Sequence, residues 1–283
     1  MSVNKKMGIL PQVQKDFYVL RLKTVGGDLT PQQFKKIAEL AEKYGKRHVH
    51  LTTRQGIELE CIRKEDLQTV INALEEVGVK TGVSGPRIRV VVACPGNAIC
   101  TRGLIETKEI AKELDKNYFR KEVPHKLKIA VTGCPNNCAR ARENDIGIVG
   151  GVEPVWDKDT CISCDACIKI CPTQAISKKN NEYRIDKRKC INCGRCVSIC
   201  PKSSWKVKKR GYFFYIGGNA GKLPTQYKLV YKDLEEDLNK IYTIIAAAIS
   251  FFEKNAVTGE RYGHTIKRLG WENVRPEILK GVN

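Results

Sequence analysis

The segments RIRVVVACPGNAIC, at residues 87–100, and KLKIAVTGCPNNC, at residues 126–138, each run from a strand pattern into a pair of cysteines. A helix and a strand separate the two pairs. Four thiolates presented by two loops can hold an iron–sulfur cluster or a structural zinc ion, and spacing alone leaves both interpretations open. The four cysteines are Cys94, Cys100, Cys134 and Cys138.

The residues before these pairs predict a layer of strands and helices. Thr30, Pro31 and Gln33 have the pattern of a capping box with proline at the first helical position. The predicted order is a strand at 17–25, a helix at 31–44, strands at 48–53 and 57–62, and a helix at 65–77. This order favours an α+β layer with its helices on one sheet face.

A further segment is dominated by cysteine. Residues 157–205 contain two copies of Cys-x2-Cys-x2-Cys-x3-Cys-Pro, the run of a bacterial two-cluster ferredoxin, in which each fourth cysteine ligates the other run's cluster. Zinc ribbons use two separated Cys-x2-Cys knuckles instead, so we expect two [4Fe-4S] clusters. The predicted ligands are Cys161, Cys164, Cys167 and Cys200 for one cluster, and Cys190, Cys193, Cys196 and Cys171 for the other.

The cysteine-rich block interrupts a larger domain. Strand patterns flank it at 145–149 and in GYFFYIGGNAG at 211–221, and a long helix is predicted at 232–254. We therefore expect an α+β chain with an inserted two-cluster ferredoxin module. The predicted parts are residues 1–82, residues 83–152 together with 206–283, and the inserted module at 153–205.

Composition narrows the class of protein. The 283 residues carry a formal net charge of +19, and their 42% hydrophobic content excludes a disordered chain. The longest apolar run, Tyr242–Phe252, is shorter than the ~20 residues of a membrane span, and the first residues lack the apolar core of a signal peptide. We expect a cytoplasmic protein whose 13 cysteines bind metal or carry out redox chemistry, with neither membrane nor nucleic acid as a partner.

Several motifs in order resemble the siroheme-containing nitrite and sulfite reductase family. They are LTTRQG at 51–56, CPGNAIC at 94–100, TGCPNNCARARENDIGIVGG at 132–151 and GYFFYIGGNAGKLP at 211–224. The resemblance implies a ferredoxin-like half-domain followed by an α/β domain that binds siroheme and a [4Fe-4S] cluster. It also implies that the four cysteines of the two pairs hold this cluster, and that the Cys138 sulfur bridges it to the siroheme iron.

The same resemblance assigns positive side chains to a substrate anion. Positions that match Lys23, Arg89, Lys126 and Lys128 surround the oxyanion in the family, with Arg21 as the alternative to Lys23. Lys126 and Lys128 alternate along a strand pattern and so point to one side, as Arg21 and Lys23 do on the first strand. Cations in this position attract a small oxyanion, neutralise its oxygens and relay protons.

Siroheme carries eight carboxylates, which need charged or amide partners when they are buried. By resemblance, the candidate partners are Arg54, Gln55, Arg102, Asn136, Asn137, Arg140 and Arg142, followed by Arg47 and His50. These carboxylates and the cluster thiolates offset most of the formal charge of +19. We therefore interpret the positive charge as countercharge for cofactors.

The resemblance implies six-electron reduction of sulfite to sulfide, with electrons relayed through three [4Fe-4S] clusters. No flavin or nicotinamide fingerprint accompanies these motifs, so we expect a separate electron donor, either a ferredoxin or a flavin- or NAD-linked subunit. Larger family members contain two copies of this half, so we expect a homodimer or higher oligomer. Two alternatives stay open: reduction of nitrite to ammonia, and an iron–sulfur electron carrier without catalysis.

Overall fold

The N-terminal layer of the computed structural model is a four-stranded antiparallel sheet with two helices on one face. The structure describes residues 7–231 and 233–280. The strands are β1 (Ile9–Pro11), β2 (Phe17–Leu22), β3 (His50–Leu51) and β4 (Ile57–Arg63), in spatial order β1-β2-β4-β3. Alternate residues of β2 are buried and pack in one apolar core against the helices, α1 (Pro31–Tyr44) and α2 (Leu67–Glu75).

The start of α1 and the end of β2 show how local sequence sets these elements. The Thr30 hydroxyl accepts the Gln33 N–H at 3.2 Å, and the Gln33 side chain accepts the Thr30 N–H at 3.0 Å, so the capping box is confirmed. The predicted strand at 17–25 is too long. β2 ends at Leu22 because a 3-10 turn follows at Val25–Gly27, where Gly26 adopts a φ of +60°.

The second sheet is mixed. Its strands are β5 (Val92–Ala93), β6 (Ile129–Thr132), β7 (Ile146–Trp156), β10 (Trp205–Ile216) and β11 (Lys228–Leu229), in spatial order β11-β10-β7-β6-β5, while β8 (Ile176–Lys179) and β9 (Glu182–Ile185) form a separate hairpin. β5, β6 and β7 are parallel, and β10 is antiparallel to both of its neighbours. One side of this sheet, from β7 to β5, is therefore parallel, and the other side, from β7 to β11, is antiparallel.

The larger core lies against this mixed sheet. The remaining helices are α3 (Lys108–Tyr118), α4 (Ala166–Ile170), α5 (Arg195–Ile199), α6 (Leu238–Asn255), α7 (Tyr262–Leu269) and α8 (Trp271–Leu279). Buried side chains of α3, α6, α7 and α8 pack together with those of the sheet. α6 begins later than the predicted helix, because the Asp237 side chain accepts the Asn239 N–H and caps it there. Lys232, the first residue of that predicted helix, lies outside the described residues.

Residues 157–204 lie between two strands that pair along their whole length. β7 and β10 pair from Ile146 opposite Ile216 to Trp156 opposite Trp205, with a register shift between Val207 and Lys209, so β7 runs well beyond the predicted strand at 145–149. The segment between them contains α4, α5 and the β8–β9 hairpin around an apolar core of its own. The two sheets and their helices confirm the predicted α+β class. None of the helices in the described residues combines the length and the apolar character that a membrane crossing requires.

Candidate active site

Two loops at one edge of the mixed sheet bring the first two cysteine pairs together. Because β5 and β6 are parallel neighbours, the residues that follow them emerge at the same edge. The Cys94 N–H donates to the Val131 carbonyl at 3.1 Å, and the Gly133 N–H donates to the Cys94 Sγ at 3.0 Å. The strand register thus places Cys94 directly against the loop that contains Cys134.

The thiols of these loops face one another. Burial raises the pKa of the Cys134 thiol, and the nearby thiols of Cys94, Cys138 and Cys100 raise it further. Among the described residues, no three His, Cys, Asp or Glu side chains converge closely enough to hold a single metal ion. Four thiolates can serve as the ligands of a zinc ion or of a [4Fe-4S] cluster. A four-iron cluster spreads its thiolates over separate corners of a cube.

Glycine permits the close packing of the two cysteine loops. Gly96 has a φ of +67°, and a Cβ there would lie 2.5 Å from the Thr107 hydroxyl. A Cβ at Gly103 would lie 2.4 Å from the carbonyl carbon of Gly96. Any larger side chain at either position would therefore force the loop that carries Cys94 and Cys100 to move.

A cavity of about 290 Å³ lies between the N-terminal layer and the segments that lead into β5 and β6. Five positively charged side chains line it, and none of its lining residues is acidic. The five cations are Arg21, Arg54, Arg89, Lys126 and Lys128. Both lysines precede β6, and Leu127, which bridges Ile88, is fully buried between them, so Lys126 and Lys128 reach the cavity together. Such a cavity attracts a small anion.

Lys128 is the cavity cation whose pKa is lowered to a value close to neutral pH. Burial lowers the pKa of Lys128 to about 8, and the positive charges of Arg54 and Arg261 lower it as well, while Asp145 opposes them. Burial also lowers the pKa of Lys126. An ammonium of this kind is charged at neutral pH and still gives up its proton readily.

The three arginines of the cavity are fixed by hydrogen bonds. Arg54 Nη1 donates to Asn144 Oδ1 at 2.6 Å, and Arg89 donates to two backbone carbonyls. Arg21 Nε donates to Glu58 Oε1 at 2.7 Å. Burial lowers the pKa of both Arg54 and Arg89 to about 10, so both stay charged at neutral pH. The guanidinium groups therefore present fixed positive charge to an anion.

Lys23 lies outside this cavity. Its Nζ pairs with Asp115 Oδ2 at 2.5 Å and lies 4.3 Å from the centre of the Phe119 ring. Strand alternation predicts that Lys23 points to the same side as Arg21, but Lys23 follows the last residue of β2 and its side chain pairs with Asp115 on α3. Among the described residues, Arg21 lines the cavity and Lys23 does not.

Sequence reasoning also missed a buried ion pair behind the cavity. Asp145 is fully buried, and Arg261 donates to both of its carboxylate oxygens. The two residues lie 116 positions apart, and no spacing rule connects them. The available signal was the position of Asp145 itself, a charged residue at the start of the apolar strand IGIVGG.

The eight cysteines of residues 157–205 gather in two groups. One small cavity is lined by Cys161, Cys164, Cys167 and Cys200, and another by Cys171, Cys190, Cys193 and Cys196. These are the two ligand sets that the ferredoxin run predicts. The fourth cysteine of each run accepts a backbone N–H at 3.2 Å, from Ala175 to Cys171 and from Ser204 to Cys200. The two runs are thus folded alike.

The second cysteine run contacts the rest of the chain. The Val152 N–H donates to the Asn192 carbonyl at 2.9 Å, and the Asn192 side chain donates back to the Val152 carbonyl at 3.1 Å. A Cβ at Gly194 would lie 3.6 Å from Leu104, whose own N–H donates to the carbonyl of Gly133. Only a thin layer of residues therefore separates the second run from the loop that contains Cys134.

Two family models match this chain. The model of the nitrite and sulphite reductase 4Fe-4S domain matches residues 84–282, and the model of the nitrite/sulfite reductase ferredoxin-like half domain matches residues 10–77. The chain belongs to the nitrite and sulfite reductase family. This membership supports a [4Fe-4S] cluster in the larger domain.

Relatives of this family member differ in length. The chain is 35% identical to the coenzyme F420-dependent sulfite reductase of Methanocaldococcus jannaschii, over 92% of this chain but only 42% of that protein. It is 33% identical to a subunit of the anaerobic sulfite reductase of Salmonella typhimurium, over 91% of this chain and 82% of the relative. The crystal structure of dissimilatory sulfite reductase I superposes with a TM-score of 0.76 at 19% identity, over 93% of this chain and 69% of the other, which shows a shared fold.

Some of the side chains that the family resemblance assigns to siroheme lie on the cysteine loops. Arg102, Asn136 and Arg140 are exposed there. The Arg142 guanidinium lies 5.2 Å from the centre of the Tyr215 ring, and its buried Nε has no hydrogen-bond partner. The three exposed side chains and the Arg142 Nε are therefore donors available to a ligand.

The other side chains that the resemblance assigns to siroheme either bond to nearby protein groups or are exposed away from the cavity. Both ends of the Gln55 amide pair with the backbone of Ala93, at 2.7 and 3.0 Å. Asn137 donates to Glu143 at 2.9 Å, and Arg47 pairs with Glu42 while 77% of its side chain is exposed. His50 is exposed on β3. The structure thus brings Arg54 to the cavity but does not bring Gln55, Arg47 or His50 there.

Proposed function

We propose that this chain is the siroheme-bearing catalytic chain of a sulfite reductase, which reduces sulfite to sulfide with six electrons. The observation that carries this proposal is the cavity with five cations and no acidic lining residue, formed partly by the segment that continues into the loop of Cys134. Small oxyanions are the ligands that such a cavity matches. The similarity to the anaerobic sulfite reductase of Salmonella typhimurium, over most of this chain and of the related subunit, supports sulfite as the anion.

The residues of the site fit siroheme. Lys128 and Cys134 lie six positions apart, before and after β6, so one strand joins the cation cavity to a cluster loop. The buried Arg142 Nε lacks a partner, and Arg102, Asn136 and Arg140 expose further donors on the same loops. We propose that these residues hold the carboxylates of siroheme and that Cys94, Cys100, Cys134 and Cys138 hold the neighbouring cluster. When bound, siroheme and this cluster supply electrons to the sulfur of sulfite.

The chain's own residues bind the anion and supply protons. Reduction of hydrogensulfite to hydrosulfide takes up six electrons and six protons and releases three water molecules. Arg54 and Arg89, which stay charged at neutral pH, neutralise the oxygens of the anion. The Lys128 Nζ, whose pKa is about 8, protonates the oxygens that leave as water, and Lys126 lies in the same cavity as a second donor.

We propose three [4Fe-4S] clusters in series. Cys161, Cys164, Cys167 and Cys200 would hold the cluster that accepts electrons from the donor, and Cys190, Cys193, Cys196 and Cys171 would hold the one that supplies them to the siroheme domain. The contacts of Asn192 with Val152 and of Gly194 with Leu104 support this order, because they put the second cysteine run nearer to the siroheme domain. The electron donor is a separate ferredoxin or a flavin- or NAD-linked subunit, the chain acts as a homodimer or higher oligomer, and it works in the cytoplasm.

Anaerobically purified protein tests this function. We expect an absorption spectrum with siroheme bands, about 13 iron atoms per chain, and sulfide production from sulfite with reduced methyl viologen. Clusters without siroheme bands would identify an electron carrier instead. Much faster turnover of nitrite than of sulfite would identify a nitrite reductase.

A further inference from the structure

A buried ion pair lies directly behind Lys128. The Asp145 side chain has no exposed surface, and the Arg261 side chain is 9% exposed. Arg261 Nη2 donates to the two Asp145 oxygens at 2.9 and 2.8 Å, Nε donates to Oδ1 at 3.1 Å, and Nη1 donates to Asn219 Oδ1 at 2.9 Å. A buried pair is stable only with this kind of bidentate geometry and additional hydrogen bonds.

Asp145 also holds the backbone of Lys128. Its Oδ2 accepts the Lys128 N–H at 2.8 Å, and the Ile146 N–H donates to the Lys128 carbonyl at 3.0 Å. The preceding residue, Asn144, accepts the 2.6 Å hydrogen bond from Arg54. Two consecutive residues, Asn144 and Asp145, therefore position two of the five cavity cations.

The charges around Lys128 act on its ammonium in opposite directions. The groups that face the lysine or share its cavity are Arg21, Arg54, Arg89, Lys126, Arg261 and Asp145. Asp145 is the one carboxylate in this set, and Glu58 is engaged by Arg21. The carboxylate favours the charged lysine, while Arg54, Arg261 and Lys126 disfavour it.

We propose that the Asp145–Arg261 pair is a positioning device for Lys128, which orients the lysine in the cavity and sets how tightly it holds its proton. Arg261 lies at the start of α7, so the pair ties the C-terminal helices to the proton donor. The inference rests on the proposed function in one respect, because Lys128 is the proton donor of that reaction. The pair itself contacts no substrate and acts through the lysine.

Two substitutions test the pair because they act on Lys128 in opposite directions. Asp145→Asn removes the carboxylate and leaves Arg261, so the ammonium loses its proton at lower pH. Arg261→Gln removes a cation and leaves the carboxylate, so the ammonium keeps its proton to higher pH. Both substitutions break the same buried pair, and a purely structural role would affect the two variants alike.

The measurement is the rate at which acetic anhydride acetylates Lys128 in the holoenzyme between pH 6 and 10, followed by peptide mass spectrometry. We expect the midpoint of labelling to fall by roughly one pH unit in Asp145→Asn and to rise by a similar amount in Arg261→Gln. The pH profile of kcat/KM for sulfite with reduced methyl viologen should shift in the same two directions.

Glu260→Gln is the matched control. Glu260 precedes Arg261, but its carboxylate bonds Thr265 and Arg268 rather than the cavity. This variant should lower the melting temperature and leave the Lys128 midpoint unchanged. If Asp145→Asn does not fold, the labelling midpoint of Lys128 in Arg261→Gln is compared with that in Glu260→Gln, and this comparison is sufficient to test the proposal.

The outcomes separate the two proposals. Midpoints that stay in place in the folded variants, or that move in the same direction, would overturn the positioning role even in an active sulfite reductase. Opposite shifts of the labelling midpoint in a protein without sulfite turnover would support the positioning of Lys128 and contradict the proposed function instead.

Discussion

Lys128 shows how a crowded, partly buried position changes what one side chain can do. An ordinary lysine, with a pKa of about 10.4, holds its proton too tightly to be an efficient donor near neutral pH. Burial and the neighbouring guanidinium groups bring the pKa of Lys128 to about 8. Arg54 and Arg89, whose pKa values are about 10, keep their charge at the same pH. One cavity therefore contains both permanent countercharge and a transferable proton.

The sulfite affinity of the wild type should depend on this proton. Because the lowered pKa of Lys128 is about 8, its ammonium is present below that pH and is lost as the pH rises through it. We expect the KM for sulfite to rise roughly tenfold between pH 8 and 9.5. Lys128→Arg should keep its KM over this range, and its kcat should fall about 100-fold, since guanidinium is a poor proton donor. A wild-type KM that is flat across this range would contradict the assignment.

Lys23 and Arg21 provide a second comparison between single residues. Lys23→Gln leaves the buried Asp115 without its partner, so we expect a loss of about 3 kcal/mol in the free energy of unfolding. Its KM for sulfite should stay unchanged, because Lys23 lies outside the cavity. Arg21→Gln should raise the KM severalfold and destabilise the fold less, since its pair with Glu58 is partly exposed. Urea unfolding and dye-linked kinetics measure both, and the reverse pattern would restore Lys23 to the site.

Patterns within one element could be predicted from the sequence, whereas contacts between elements could not. Lys126 and Lys128 reach one cavity because alternation depends only on adjacent residues, and the capping box at Thr30 depends on four. Both signals are local. The Asp145–Arg261 pair joins residues 116 positions apart, and only the packing of α7 against the mixed sheet brings them together.

The amide of Gln55 joins the N-terminal layer to β5 and offers a test between elements. Its side chain both donates to and accepts from the Ala93 backbone, next to Cys94. Gln55→Glu removes the donor and sets a carboxylate against a carbonyl oxygen, so we expect a loss of about 1–3 kcal/mol in stability. The variant should also retain less iron per chain. Gln68→Glu, at an exposed helical position, is the control, and equal iron content in the two variants would show that this bridge does not support the cluster loop.

The two cysteine runs of residues 157–205 differ in how far they are exposed and in how they contact the rest of the chain. The second run packs on the body through Asn192 and Gly194, whereas the first exposes Cys164 and leaves 56% of Ile162 exposed. Residues 157–205 carry ten Lys and Arg against five Asp and Glu. The ferredoxin pattern in the sequence predicts the cysteine sets. Only the three-dimensional packing distinguishes the exposed first run, here called the outer run, from the second run, which packs against the rest of the chain. We therefore expect a donor protein to dock at the outer run.

Reversing the charge of lysines around the outer run tests whether an electron-donor protein docks there. Lys158 and Lys169 are exposed beside its cysteines, and Lys202 is exposed beside Cys200, which lines the same small cavity as those cysteines. In the part of the chain that the structure describes, none of these three lysines forms an ion pair. Replacing all three with Glu should raise the KM for a reduced acidic ferredoxin about tenfold at low salt, because complementary charge speeds the encounter of the two proteins. The difference should shrink as salt is added.

Turnover with reduced methyl viologen should stay unchanged in this variant, since the small dye needs no docking surface. The control replaces Lys35, Lys46 and Lys64, three exposed lysines of the N-terminal layer, and changes the net charge equally. An equal rise in KM in the control would show that overall charge, rather than the outer cysteine run, governs the encounter. A rise confined to the first variant would identify the face through which electrons enter, because both proteins would differ only in where the same charge had been reversed.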